Sequence, residues 1–245
     1  MVEYKSSRKL GVTHTVTEQI IGGKCCCLFE NDQASNILIQ AIGDHSLEGL
    51  DKEVKTIHEL APGHPFSLAA FLVDAWNAEL SPWEAPAVFG KESFGSGAKE
   101  TLAYVTETLM PELDKRCSSG GKRRYYLGGY SLAGLFALWA AYQTNIFHGI
   151  AAVSPSVWFP QWDEYIRDHE IHTPQIYLSL GAKEEKTRNK TLAKVGENIR
   201  LHHQVLSNAP SCKDCVLEWN PGNHFIDADI RTAKGFAWLL SHQGK

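Results

Sequence analysis

Along the chain, stretches with strand-like spacing of apolar residues alternate with stretches of helix-like spacing. Residues 12–18 and 25–30 read as two strands joined around Gly22-Gly23, and Asn36–Ile42 is an almost unbroken apolar run. A run of that kind suits a parallel strand covered on both faces. After Gly43-Asp44-His45-Ser46, the residues Leu47, Leu50, Val54, Ile57 and Leu60 recur at helical spacing, with Ser46 as the expected N-cap. Residues 66–73 predict the next strand. A loop over 74–97 rich in Trp and Pro follows, and Ala98, Leu102, Val105, Leu109 and Leu113 mark a second amphipathic helix. Residues 124–129 predict a strand running into an apolar helix over 131–142. Strands over 149–153, 175–180 and 216–219 complete the set, with a helix over about 188–206 and a closing helix marked by Ile226, Ile230, Ala233, Phe236 and Leu239. This alternation predicts an α/β fold: one domain over 1–245 on a mostly parallel central sheet, with helices on both faces.

A chain of 245 residues, 43% hydrophobic and 21% charged, can bury a sizeable core. Its charge, 24 − 28 = −4, gives no bulk attraction to nucleic acid or an anionic membrane. The apolar runs at 67–73 and 132–141 are too short to span a bilayer, and residues 1–9 lead into no apolar signal core. A soluble, cytoplasmic protein is expected, which suits Cys25, Cys26 and Cys27 as small buried hydrophobes in a reducing compartment. Cys212 and Cys215 form a C-x-x-C with no second ligand pair at zinc spacing, so no metal is expected. No G-x-G-x-x-G follows an early strand, Gly23-Lys24 lacks the rest of a phosphate loop, and His58-Glu59 meets Pro62 where a zinc-protease helix needs its second histidine.

Chemistry concentrates in Gly128-Gly129-Tyr130-Ser131-Leu132-Ala133-Gly134, where a buried strand turns into a helix. A serine nucleophile needs its hydroxyl presented on such a turn, with small residues two before and two after it. Gly129 and Ala133 meet that need, and the Leu132 N–H faces the developing oxyanion. A second oxyanion donor is expected from the loop at Asp44 or His45. An acid and then a histidine should follow downstream. His224 lies in Asn220-Pro-Gly-Asn-His-Phe, a turn after the last strand, whereas His45, His58, His64, His202 and His203 read as surface or interface residues. After the penultimate strand, Gly181-Ala-Lys-Glu184-Glu185 offers two carboxylates; Glu184 is favoured and Glu185 is the alternative. Asp163 and Asp227 fall outside the required order.

On these residues the chain resembles the putative esterase (esterase D-like) family of α/β-hydrolases, which includes enterochelin-type esterases and S-formylglutathione hydrolases. The matching pieces are Gly129-Tyr-Ser-Leu-Ala-Gly134, Ser154-Pro-Ser-Val-Trp158, Gly181-Ala-Lys-Glu184 and Gly222-Asn-His224, in order through the C-terminal half. The resemblance implies an α/β-hydrolase fold, Ser131 as nucleophile, His224 as base, Glu184 as acid, and no metal or organic cofactor. Ala133 in the place of glycine and the unrecognisable oxyanion loop depart from the pattern. The expected activity is hydrolysis of a small or accessible carboxylic ester through an acyl-enzyme, since no segment is long enough for a large lid domain. Tyr130 and Trp158 are expected in the substrate pocket, with Trp76, Trp83 and Phe159 as further aromatic candidates. Transfer of the acyl group to an alcohol or sugar is an alternative, as is a catalytically silent binding protein. The partner expected is a small-molecule ester, and the residues do not indicate the oligomeric state.

Overall fold

The computed structural model describes residues 7–9, 15–116 and 122–242. Among the described residues nine strands form one sheet in the order β1-β2-β3-β5-β4-β6-β7-β8-β9. The antiparallel end is made of β1 (Ser7–Lys9), β2 (Thr15–Ile21) and β3 (Lys24–Phe29), with β3 antiparallel to β5. From there β4 (Asn36–Ile42), β5 (Phe66–Leu72), β6 (Arg124–Tyr130), β7 (Phe147–Val153), β8 (Gln175–Gly181) and β9 (Asp214–Asn220) run parallel. Residues 12–14 of the first expected strand lie outside the described residues. Gly22 and Gly23, at φ 57° and 88°, turn β2 into β3. Both central residues of such a two-residue turn need positive φ, which glycine adopts without strain.

The helices are α1 (Leu50–Leu60), the short α2 (Trp76–Glu79), α3 (Ala98–Ala103), α4 (Met110–Arg116), α5 (Leu132–Gln143), α6 (Trp162–Asp168), α7 (Lys190–Ala193), α8 (Val195–Asn208) and α9 (Ala228–Ser241). On one face of the sheet, α5 with α3, α4, α6 and α8 closes over Ile37, Ile39, Leu127, Ile150 and Leu178. On the other, α1 and α9 close over Leu38, Leu68, Ala70 and Tyr126. Coverage on both sides explains why all seven residues of β4 are buried and why they lack a period-2 pattern. Each large side chain hidden there contributes roughly 1.5–3 kcal/mol of hydrophobic stabilisation. All residues from Leu132 to Tyr142 of α5 are buried, so that helix shows no polar stripe.

Several local expectations are corrected. Ser46 caps no helix: it sits inside a 3-10 turn, Asp44–Gly49, and its N–H donates to Gly43 O at 2.9 Å. The helix expected from Ala98 to Leu113 widens into a π-helical stretch, Tyr104–Leu109, between α3 and α4. The helix expected from Arg188 begins at Lys190, where the Asn189 side chain accepts from the Thr191 and Leu192 N–H groups, and it is split at Lys194. His202 is fully buried, its Nε2 2.9 Å from the Tyr142 hydroxyl, and burial lowers its pKa to about 3. Its place on the inner face of α8 puts it in the core. Cys26 and Cys27 are buried and Cys25 is half-buried. Among the described residues no insertion approaches a lid domain, and no helix is long and apolar enough to cross a membrane.

Candidate active site

β6 ends at Tyr130 and α5 begins at Leu132, so Ser131 alone reverses the chain. Its backbone is at φ 60°, ψ −121°. A non-glycine residue in a sparsely populated region of this kind costs about 1–3 kcal/mol and persists only where its surroundings fix it. Here they do: the Ser131 N–H donates to Val153 O at 3.0 Å, and Ser131 O accepts from the Leu135 and Ser156 N–H groups at 3.1 Å. A methyl on Gly129 would come within 2.6 Å of Ala133 Cβ and 2.7 Å of its carbonyl carbon, so the turn has room for glycine and for the methyl already on Ala133.

Two loops complete the site from the carboxyl ends of β8 and β9. They are joined where the Ala182 N–H donates to Asn220 O at 2.8 Å and the Lys183 N–H to Gly222 O at 3.0 Å. This pairing carries Glu184, in a 3-10 turn, toward His224. Glu184 Oε2 lies 2.7 Å from His224 Nδ1, and His224 Nε2 lies 3.0 Å from Ser131 Oγ. The other carboxylate oxygen, Oε1, accepts from the Ser154 hydroxyl and the Gly181 N–H, each at 2.7 Å. Burial alone pushes the Glu184 carboxyl up, but the hydrogen bond and charge of His224, with Ser154 and Gly181, outweigh it and hold the group below the ordinary carboxylate range. Glu184 is thus ionised, and the proton between it and the imidazole sits on Nδ1, leaving Nε2 to accept from the serine hydroxyl.

Glu185 turns the other way and pairs with Arg200 at 2.8 and 3.1 Å; that hydrogen bond lowers its pKa. Leu132 opens α5 directly after the serine. The β4–β6 pairing runs to Gln40↔Gly128, two residues before each strand ends, and the turn that starts at Asp44 follows the end of β4. His45 in that turn packs edge-on against Trp76, 5.9 Å away. Tyr130 stands 5.2 Å from the His224 ring, and its hydroxyl donates to His224 O at 2.7 Å. Trp158 packs against Phe89, Phe94 and Phe159. Trp83 is half-buried against Phe159, 5.7 Å from it, and also packs on Trp162 and Tyr165, its indole N–H donating to Pro160 O at 3.0 Å. Sequence reasoning missed three contributors: Arg231, 3.3 Å from Glu184 Oε1; the Ser154 hydroxyl; and Ser156, whose Oγ is 3.4 Å from Ser131 Oγ. Ser154-Pro-Ser156 was conspicuous as a motif, but Arg231 reads as one more polar position in a helix.

A serine on a strained strand-to-helix turn, facing a histidine after the last strand and a carboxylate after the strand before it, makes this an α/β-hydrolase. The chain belongs to the family described as "Putative esterase", whose model matches residues 74–228, and it is a carboxylic ester hydrolase. No curated protein matches it in sequence. Among solved structures it is similar to the siderophore hydrolase EstA from Aspergillus nidulans, with 16% identity and a TM-score of 0.74 over 100% of this chain and 95% of that one. An IroE-like serine hydrolase from Shewanella oneidensis is similar at 14% identity and a TM-score of 0.74, over 99% of this chain and 82% of that one. The enterobactin esterase FES from Shigella flexneri, at 14% identity and a TM-score of 0.64, is matched over 96% of this chain and 61% of its own length. At such identities the likeness is one of fold.

Proposed function

We propose that the protein hydrolyses a small or accessible carboxylic ester through an acyl-enzyme on Ser131, with His224 as general base and Glu184 as the acid that orients it. The observation that carries this reading is the unbroken line of hydrogen bonds from Ser131 Oγ through the imidazole to Glu184, at 3.0 and 2.7 Å. In the acylation step, Ser131 Oγ bonds to the ester carbonyl carbon while its proton passes to His224 Nε2. The tetrahedral oxyanion is met by the Leu132 N–H and, across the site, by the amide of Asp44. Collapse expels the alcohol, which takes the proton from Nε2. Water then enters: its oxygen bonds to the acyl carbon as its proton passes to Nε2, and the acid is released when the bond to Ser131 Oγ breaks and Oγ takes the proton back. Glu184 stays ionised throughout and stabilises the imidazolium.

The His224 side chain keeps 30% of its surface exposed, and Phe225 beside it is 87% exposed. Such openness favours an ester that reaches the serine without a lid having to move, with Tyr130 and Trp158 at the margins of the pocket. Because structural neighbours are named for siderophores, a siderophore ester belongs in the first substrate panel beside p-nitrophenyl esters of graded acyl length. A fluorophosphonate should add one phosphonyl mass to the wild type and none to Ser131→Ala, whose kcat should fall on the order of 10⁶-fold. An unlabelled wild type, or a fully active Ser131→Ala, would rule the reading out. Product analysis with an added alcohol separates hydrolysis from acyl transfer.

A further inference from the structure

Arg231 lies in none of the motifs, yet it is among the largest fully buried side chains, 2% exposed on α9. Its Nη1 lies 3.3 Å from Glu184 Oε1, 3.2 Å from the Tyr130 hydroxyl and 3.5 Å from Ser154 Oγ, while Nη2 donates to Pro221 O at 2.6 Å. The Tyr130 hydroxyl in turn donates to His224 O. One guanidinium thus touches the acid directly and the histidine loop twice, at Pro221 and, through Tyr130, at His224. The cluster converges on Gly181, where a methyl would come within 2.8 Å of Glu184 Oε1, 2.8 Å of Gly222 O and 2.9 Å of Arg231 Nη1. The planar fork of arginine suits this task, because it can reach partners in several directions while staying charged.

We propose that Arg231 is a positioning residue for ester hydrolysis, orienting Glu184 and fixing the 221–224 loop so that His224 reaches Ser131. This rests on the roles given above to Ser131, His224 and Glu184. The titratable groups in contact with the guanidinium or linked through its partners are Glu184 from the turn after β8, Tyr130 from the end of β6 and His224 from the loop after β9. Removing its positive charge makes protonation of the Glu184–His224 pair easier, so the acid limb of kcat/KM moves to higher pH.

The test compares Arg231→Met and Arg231→Lys across pH with a p-nitrophenyl ester, beside Ser131→Ala. Arg231→Met should lose about 10²-fold in kcat, with KM little changed, as misplaced groups do. Its acid limb should rise by about one pH unit, the effect expected when an opposite charge within 4–6 Å is lost. Arg231→Lys keeps the charge and should return the limb to its wild-type position while recovering only part of kcat. A folded Arg231→Met with wild-type kcat and limb overturns the proposal. If Arg231→Met does not fold, Tyr130→Phe decides: it leaves the charge and cuts the link to His224 O, so kcat should fall with the limb unmoved, and wild-type kcat overturns the proposal. Full activity in Ser131→Ala would instead sink the assignment of the nucleophile, whatever the Arg231 variants do.

Discussion

Two adjacent glutamates in this chain meet opposite fates, and the difference lies in their contacts. Glu184 is buried, with one oxygen on His224 and the other on Ser154 and Gly181; Glu185 is held at the surface by Arg200. Glu184→Gln should therefore cost on the order of 10⁴-fold in kcat, because a neutral amide no longer stabilises the imidazolium or selects its tautomer. Glu185→Gln breaks an exposed ion pair of the kind worth about 0–1 kcal/mol and should leave kcat unchanged. Steady-state kinetics on the two variants checks both, and equal losses would contradict the geometry. The motif placed both carboxylates after β8 and favoured Glu184 over Glu185, but which of them faces the imidazole depends on the direction of a short 3-10 turn. Arg231 was less legible still: apart from Pro221 its partners come from β6, the β7 exit and the loop after β8, all far from it in sequence.

At the scale of elements, the elbow between β6 and α5 is where sequence and geometry agree most closely. Small residues at 129 and 133 were legible because the turn leaves no volume for larger ones. Gly129→Ala puts a methyl against the backbone of Ala133, which cannot yield as a flexible side chain would. Overpacking of this sort costs roughly 1–3 kcal/mol, and for a protein of this size each kcal/mol lowers Tm by about 2–4 °C. Calorimetry should record that fall together with a loss of fluorophosphonate labelling, and a variant with wild-type Tm and labelling would show that the turn has slack. The elements read less well were those shaped by neighbours. The π-helical stretch at Tyr104–Leu109 lies where the Tyr104 hydroxyl donates to Ile21 O in β2, and a 3.6-residue period carries no sign of it.

For the molecule as a whole, the two sides of the sheet are not alike chemically. The layer under α1 contains Glu53, buried, with Oε1 accepting from Gln40 of β4 at 2.9 Å. Burial pushes its carboxyl up to about 8, the Gln40 bond opposing and the charge of Asp229 adding to the rise. The folded protein thus holds a proton that the unfolded chain releases near the ordinary value of 4.5. That contribution is complete below the unfolded value and is lost as pH rises through the folded one. Wild-type stability should decline between about pH 5 and 8, by at most ~1.4 kcal/mol per pH unit from this group. Glu53→Gln should flatten the decline and become the more stable protein above pH 8. Urea unfolding at pH 6 and pH 9 checks this; parallel losses in both proteins would remove Glu53 as the cause.

The order of β2 to β9 and of the helices between them other than α2 and α6, the elbow around Ser131 and the chain positions of His224 and a downstream carboxylate are properties of the sequence, because each follows from local periodicity, local volume or loop placement. Which carboxylate meets the imidazole, where Arg231 sends its two nitrogens, and why His202 is buried were decided by tertiary packing. Those outcomes depend on groups brought together from distant parts of the chain. A linear pattern gives spacing along one element, whereas the direction a side chain takes is set by what the other elements leave for it to touch.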